Sequence, residues 1–261
     1  EIASCLVGSE MCIRDRYTNE VLAFSMVKEE ELLRATEEIQ NLTYRQGEYK
    51  IFKVFEPKER LIMALPFYDR VVQHMICNAI QPVFENGFYY HSYACRSGKG
   101  MHAASDTLYQ WMYETEVKQG LRMYAFKGDI SKYFASIPHD KLKDENRRYI
   151  GDKKALMLMD DIIDHNGILP DGVGIPVGNL TSQLFANVYG NKLDKFCKHV
   201  LHIPYFVRYM DDFIILSDDL EQLKEWVKRI EEFLENEMLL HINPKSTILY
   251  AGNGIDFCGY I

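Results

Sequence analysis

Three aspartates interrupt apolar runs in the second half of the chain. Asp211 and Asp212 divide the run FVRYMDDFIILS, and Asp129 follows the apolar part of LRMYAFKGDI. Taken alone, each site has a simple structural explanation, a solvated hairpin turn for the pair and a helix or turn cap for Asp129. Taken together, carboxylates at the ends of neighbouring strands form an oxygen-only site of the kind that Mg²⁺ prefers. Two such ions about 4 Å apart stabilise both oxygens of an in-line phosphoryl displacement.

Two other groups of residues are weaker candidates for a functional site. Cys197, His199 and His202 lie close together in CKHVLH, but their spacing fits no common zinc site and a helix explains it. The segment SGKG (97–100) lacks the earlier glycine and the following Ser or Thr of a phosphate-binding P-loop. Neither segment therefore competes with the aspartates as a predicted catalytic site.

Composition places the chain among ordinary soluble globular proteins. Its 261 residues are 47% hydrophobic and 26% charged. No stretch approaches the roughly 18 uncharged apolar residues of a membrane span, so no membrane association is expected. The N-terminus lacks the basic and apolar regions of a secretory signal, and the six cysteines show no CxxC spacing. These features predict a reducing compartment, and therefore a cytoplasm.

The charge distribution permits a nucleic-acid partner despite an acidic total. The formal net charge of −8 argues at first against binding a phosphate backbone. Between Arg45 and Lys99, however, eight bases face five acids, for a local charge of +3. The sequence therefore allows a basic surface in its first half.

Apolar spacing predicts a mixture of helices and antiparallel hairpins. Helical patterns cover about 20–42, 68–81, 101–118, 180–200 and 219–238, with a further helix opening near Pro138. YKIFKVFEP and RLIMALP read as strands of one hairpin, LRMYAFKGDI as a single strand, and FVRYMDDFIILS as a second hairpin. Short strands finish the chain. The expected fold class is α+β. Residues 1–16 resemble translated sequencing-adapter text and are expected to be a non-native artefact.

Six blocks in order identify a family resemblance. YMDD at Tyr209–Asp212 resembles the catalytic hairpin of reverse transcriptases. The other blocks resemble finger motifs of bacterial enzymes related to group II introns, three palm motifs and a primer grip: RLIMALPFYDRVVQ with SYACRSGKGMHAA, GDISKYFASI, GIPVGNLTSQLFANVY, HINPKS and FCGY. The resemblance implies a right-hand polymerase fold, with an N-terminal helix and fingers over 17–120 and an antiparallel palm sheet packed on helices over 121–261. A fingers-like insertion is expected at about 139–178.

The resemblance also implies catalytic roles. Asp129 and Asp211 would bridge two Mg²⁺ ions, for which Mn²⁺ could substitute. Asp212 would support them as a further acid and metal ligand, and the Ile130 carbonyl would complete one metal shell. Lys245 would protonate the departing pyrophosphate. In this reaction a primer 3′-oxygen would attack the α-phosphorus of a deoxynucleoside triphosphate and release pyrophosphate, copying a template RNA.

A second set of residues would contact nucleotide or template. Phe134 lies five residues beyond Asp129, where the family places a ring that excludes a ribose 2′-hydroxyl. Arginine suits phosphate because its guanidinium donates paired hydrogen bonds. The full implied set is Phe134, Tyr209, Arg60, Arg96, Gly178, Ser182 and Gln183, with Lys99 as a weaker addition. Gly178 would let the backbone approach the nucleotide or template closely, and Ser182 and Gln183 would face the pairing position.

One difference from the common reverse transcriptase pattern indicates a subclass of that family. Many reverse transcriptases have Gln before Gly178 and Pro after Ser182, where this chain has Val177 and Gln183. The resulting VGNxxSQ pattern resembles diversity-generating retroelement enzymes, which copy a template RNA with errors at adenines and use a small basic accessory protein. Group II intron, retron and phage-defence enzymes are the alternatives within the family. A catalytically idle RNA-binding module is the alternative outside enzymes. Since the sequence stops at FCGYI, the thumb of the family is expected to be missing.

Overall fold

The apolar periodicities correspond to an alternation of helices and short strands. The structure, a computed structural model, describes residues 18–55 and 59–260; the expected artefact at residues 1–16 lies outside the described residues. The helices are α1 (Asn19–Met26), α2 (Lys28–Asn41), α3 (Phe67–Glu85), α4 (Met101–Met112), α5 (Tyr133–Ser136), α6 (His139–Arg147), α7 (Lys153–Asp164), α8 (Leu180–Lys195) and α9 (Leu220–Glu237). The strands are β1 (Lys50–Val54), β2 (Arg60–Ala64), β3 (Tyr124–Asp129), β4 (Tyr205–Tyr209), β5 (Asp212–Ser217) and β6 (Thr247–Tyr250).

Four strands form one antiparallel sheet in the order β4–β5–β3–β6. Residues of β5 alternate between two apolar clusters, because successive side chains of a strand point to opposite faces. Phe213 and Ile215 pack into the cluster that contains α8 and α9, whereas Ile214 and Leu216 pack into the cluster on the α4 side. The sheet is thus covered on both faces, which explains why FIIL is apolar without alternation.

The predicted hairpin of β1 and β2 is confirmed as a separate two-stranded sheet. Every residue of β1 is exposed, while Met63 of β2 is buried. The Met63 amide donates a hydrogen bond to the Val177 carbonyl at 3.1 Å, which ties this hairpin to the loop preceding α8. The α+β class with antiparallel pairing, expected from the sequence, is therefore confirmed.

Some predicted elements differ from the observed ones. The helix expected over 20–42 is interrupted at Val27, between α1 and α2. Helix α7 was not anticipated, although the side chain of Asp152 caps it by accepting a hydrogen bond from the Ala155 amide at 2.8 Å. The helices predicted to end near 118 and 200 do so through π-helical turns (Tyr113–Lys118 and Phe196–Val200) that continue α4 and α8. Among the described helices, none has the length and apolar character needed to cross a bilayer.

Candidate active site

The sheet brings the three aspartates together at one edge. In the β3–β5 register Asp129 lies directly opposite Asp212. The Ile130 amide donates to the Asp211 carbonyl at 3.1 Å, which extends the pairing by one step beyond β3. Because directly opposed residues have Cβ atoms about 5 Å apart, the predicted convergence of these carboxylates follows from the register.

A two-residue turn presents Asp211. Tyr209 pairs with Asp212 across β4 and β5, so Met210 and Asp211 close the hairpin between them. Met210 has a φ of 57°, a left-handed conformation that costs energy for a residue with a long side chain, and it is nevertheless buried. We call residues 209–212 the carboxylate turn. Its conformation must be maintained by the surrounding structure.

The loop before β6 braces Asp129 from the other side. The side-chain amide of Asn243 donates to Asp129 Oδ2 at 2.5 Å, and the backbone amide of Asn243 donates to the Asp129 carbonyl at 2.7 Å. The Asp129 amide in turn donates to Ser246 Oγ at 3.0 Å. These contacts fix both the backbone and one carboxylate oxygen of Asp129. Asn243 and Ser246 are not among the predicted site residues, although the Asn-Pro step of HINPKS is a turn signal.

The carbonyl of Ile130 takes no part in the hydrogen bonds of the β-bridge that Ile130 forms. Ile130 forms an isolated antiparallel bridge with Ile242. The bonds of that bridge are made by neighbours, from the Asn243 amide to the Asp129 carbonyl and from the Ser131 amide to the His241 carbonyl at 2.9 Å. The bridge therefore does not use the carbonyl that the resemblance assigns to a metal.

Burial and the neighbouring acids perturb Asp212. Partial burial, together with the charges of Asp211 and Asp129, raises the pKa of Asp212 to about 6. Among the described residues, no three His, Cys, Asp or Glu side chains are arranged so that they alone could hold a metal ion. Mg²⁺ sites that handle phosphate need only one or two carboxylates, since substrate oxygens and water supply the rest. The donor set fits such a partial site.

Phe134 and Tyr209 lie close to the acids along the chain and pack against the core. Phe134 is half-buried and makes an edge contact with Tyr133 at 6.0 Å between ring centroids. Tyr209 is half-buried and contacts both apolar clusters. The FCGY segment forms a tight turn in which Phe257 and Tyr260 exchange backbone hydrogen bonds of 2.8 and 3.0 Å. Its Cys258 is close enough to Asp212 for that charge, after burial, to help raise the thiol pKa to about 12.

Gly178 has a structural role within the protein beside the predicted one. Its φ is 120°, and a Cβ there would lie 3.2 Å from Ile62 Cγ2 and 3.3 Å from the Met63 carbonyl oxygen. The close approach made possible by this glycine is therefore to strand β2. Ser182 is buried and Gln183 is half-buried in the first turn of α8.

The basic residues of the predicted set occupy different environments. The Arg96 guanidinium is buried and donates to Glu85 and to the Tyr89 and Ser92 carbonyls, each at 2.7 Å. Because these donors are used within the protein, contact with a triphosphate would require the bonds to break. Lys99 lies 3.5 Å above the Tyr90 ring, whereas Lys245 is exposed. The side chain of Arg60 lies outside what the structure describes.

Comparison with curated proteins identifies partial relatives. The chain is 25% identical to Protein YkfC of Escherichia coli (strain K12), with 74% of this chain and 60% of that protein covered. It is 29% identical to an uncharacterized 91 kDa protein in the cob intron of Schizosaccharomyces pombe, with 51% of this chain and 16% of that protein covered. It is 22% identical to a putative COX1/OXI3 intron 2 protein of Saccharomyces cerevisiae, with 74% of this chain and 29% of that protein covered. The chain thus spans less than two thirds of each relative.

Solved structures and a family model complete the comparison. Apo telomerase from Candida tropicalis superposes with a TM-score of 0.59 at 14% identity, covering 80% of this chain and 44% of that one. Telomerase from Candida albicans in complex with a telomeric RNA fragment superposes with a TM-score of 0.55 at 12% identity. This superposition covers 83% of this chain and 45% of that one. These similarities establish a shared fold. The family model "Reverse transcriptase (RNA-dependent DNA polymerase)" matches residues 53–261. Because this match includes both the carboxylate turn and the strand that carries Asp129, the chain belongs to the reverse transcriptase family.

Proposed function

We propose that this chain is an RNA-directed DNA polymerase that extends a primer 3′ end on a template RNA. The observation that carries the proposal is the register of Asp129 opposite Asp212, with the Asp211 carbonyl bonded to the Ile130 amide. An ordinary solvated turn does not need three acids at a place where burial and their mutual charges raise the pKa of one of them to about 6. Family membership gives this cluster a nucleotidyl-transfer reaction to perform.

The protein's own groups divide the work of that reaction. Asp129, Asp211, Asp212 and the Ile130 carbonyl would hold two Mg²⁺ ions, or Mn²⁺ in their place. When bound, the ions would supply charge stabilisation for the attacking and leaving oxygens. Lys245, exposed beside the Asn243 turn, would donate a proton to the departing pyrophosphate. Residues 121–261 would form the palm, and 17–120 with the insertion at about 139–178 would form the fingers.

Selection of deoxynucleotides is assigned to Phe134. The α5 turn that carries it follows β3 directly, and the Phe134 carbonyl accepts a hydrogen bond from the Ile175 amide at 2.8 Å. That bond links Phe134 to the GIPVGN loop, which leads to Gly178 and Ser182. A ring on the residue that links the Asp129 strand to this loop would be suited to exclude a ribose 2′-hydroxyl.

Within the family, we propose the diversity-generating retroelement type. Its support is the VGNxxSQ pattern, in which Val177 replaces a glutamine and Gln183 replaces a proline. The Val177 side chain has no hydrogen-bonding group, so it cannot hold a base or sugar as glutamine could. The partners of such an enzyme would be template RNA, primer and growing cDNA, deoxynucleoside triphosphates and a small basic accessory protein, in a bacterial or phage-infected cytoplasm.

An intron-encoded enzyme is the second candidate. Two of the curated relatives are described as proteins of the cob intron and of COX1/OXI3 intron 2. That observation favours a group II intron-type enzyme over the retron and phage-defence types. The two candidates differ in the expected error pattern, because only the diversity-generating type concentrates errors at template adenines.

Primer extension tests the proposal. The chain is incubated with Mg²⁺, deoxynucleotides and a primed RNA template rich in adenine, and the products are sequenced. Asp211→Asn should lower extension by at least about 100-fold, the cost typical of losing one electrostatic group at a reacting centre. Asp218→Asn is the matched control, because Asp218 is exposed beyond the opposite end of β5.

The outcomes separate the candidates. Errors concentrated at adenines support the diversity-generating type, and an even error distribution favours the intron type. Extension that persists in Asp211→Asn contradicts the role of that carboxylate. Binding of the RNA by a wild-type chain that does not extend the primer would favour the idle RNA-binding module.

A further inference from the structure

A fully buried ion pair lies behind the carboxylate turn. Arg208 of β4 and Asp194 of α8 are both 0% exposed in their side chains. The guanidinium makes a two-pronged contact with the carboxylate, from Nε to Oδ1 at 2.6 Å and from Nη2 to Oδ2 at 2.7 Å. Burying two charges this deeply is costly, and a well-packed apolar pair often serves stability equally well. The reason for the pair is therefore sought in the contact of the remaining guanidinium nitrogen, Nη1.

The third nitrogen of Arg208 reaches the turn itself. Nη1 donates to the carbonyl oxygen of Met210 at 2.8 Å. Met210 is the residue with φ of 57° that immediately precedes Asp211. The bond therefore holds the strained peptide from which Asp211 and Asp212 continue. The carbonyl accepts a charge-assisted hydrogen bond, which is stronger than a neutral one and suited to offset local strain.

The pair is itself fixed by neighbouring elements. Nη2 also donates to Ser92 Oγ at 3.1 Å, and the Arg208 backbone bonds to the His91 carbonyl at 3.0 Å and to the Tyr93 amide at 2.9 Å. On α8, a Cβ at Gly190 would lie 2.6 Å from Nη1, so glycine provides the space that the guanidinium occupies. Arg208 thus has one defined position with its donors directed at three separate acceptor residues.

We propose that Arg208, oriented by Asp194, is a positioning residue that sets the conformation of the carboxylate turn. The inference rests on the proposed function, because it treats Asp211 and Asp212 as the groups that must be positioned. Arg208 has no contact with substrate in this role. It acts through the Met210 carbonyl, and Asp194 acts through Arg208.

The central test replaces the pair with apolar residues. The double variant Arg208→Met/Asp194→Leu removes both charges together, so neither remains buried without a partner. We expect it to fold and to show kcat lower by about 10–100-fold, the range typical for groups that orient catalytic ligands. We also expect faster amide hydrogen exchange at Ile130, because that amide is bonded to the Asp211 carbonyl.

A control on the same helix separates positioning from stability. Tyr189→Phe removes the bond from the buried Tyr189 hydroxyl to the Met238 carbonyl, which measures 2.6 Å and lies away from the turn. This control should leave exchange at Ile130 and kcat unchanged. If the double variant fails to fold, Arg208→Lys serves instead, since one ammonium nitrogen cannot replace three guanidinium nitrogens. It should keep the fold and accelerate exchange at Ile130.

The exchange measurement does not depend on polymerase activity. Accelerated exchange at Ile130 in the folded variant, with unchanged exchange in Tyr189→Phe, supports the proposal. Wild-type exchange at Ile130 together with wild-type kcat overturns it. If the wild-type chain does not extend a primer but the variant still loses protection at Ile130, the positioning role stands and the proposed polymerase function fails.

Discussion

Two hairpins of this molecule have opposite surroundings. The hairpin of β4 and β5 is buried on both faces, and its turn is held by Arg208 from one side and faces Asp129 on the other. The hairpin of β1 and β2 exposes every residue of β1 and is linked to the loop before α8 by the Met63 amide. The first is organised to hold a few groups in fixed positions. The second is organised to present a surface.

The exposed hairpin carries the composition of a contact surface. Phe52 of β1 and Phe55 just beyond it are 44% and 68% exposed, and Lys50 and Lys53 lie on the same strand as Phe52. Aromatic rings with neighbouring cations are of the kind that stack on bases and attract phosphates. The comparison points to a division between a buried, rigid sheet and an exposed hairpin, and this difference in burial can be tested by mutation.

The largest effect should come from the same substitution made in both hairpins. Phe213→Ala removes a ring that is fully buried between Phe126 and Phe206, and should lower the free energy of unfolding by about 3–5 kcal/mol. Phe52→Ala removes a half-exposed ring and should change it by less than about 0.5 kcal/mol. Urea denaturation measures both. Equal losses for the two variants would contradict the division.

Loss of the brace on Asp129 should have the next largest effect. Asn243→Ala removes the donor to Asp129 Oδ2 and the local turn contact to the Lys245 amide. We expect primer extension to fall by about 10–100-fold with little loss of folding, because the group orients a catalytic carboxylate. Asn236→Ala, on the exposed surface of α9, is the matched control. Undiminished extension by Asn243→Ala would show that Asp129 is positioned without this brace.

The sequence predicted the acids of this site better than their supports. Asp129, Asp211 and Asp212 could be found because carboxylates are unusual in apolar strands, and the structure brings their strands into register. Arg208 also interrupts an apolar strand, but its partner Asp194 lies on the preceding helix, fourteen residues earlier in the chain. Only the tertiary structure brings that pair together, so periodicity along the chain could not reveal it.

The fold shows the same limit. Hairpins and long amphipathic helices were predicted because their signals are local, as for β1 with β2 and for α9. Helix α7 was missed although Asp152 is a good N-cap residue. The contact of Gly178 with β2 was not predicted either, because it depends on long-range packing. Long-range contacts are what local patterns omit.

The smallest predicted effect is a pH dependence that originates in the catalytic sheet. The pKa of Asp212 is raised to about 6, chiefly by burial and then by the Asp211 and Asp129 charges. An unfolded aspartate has a pKa of about 3.9, so the folded chain binds this proton more tightly than the unfolded chain does. The resulting stabilisation is fully present below about pH 4 and is lost as the pH rises through about 6.

Comparison with Asp212→Asn isolates this contribution. Without divalent metal, the variant should gain stability relative to wild type as the pH rises from 4.5 to 7.5, by about 1–2 kcal/mol once the partial exposure of Asp212 is allowed for. Phe52→Ala removes no titrating group and should follow the wild-type pH dependence. Parallel wild-type and Asp212→Asn curves would mean that the pKa of Asp212 is not raised in the folded chain. A difference that widens as the pH rises would show that burying Asp212 beside the other two acids costs stability once it is charged.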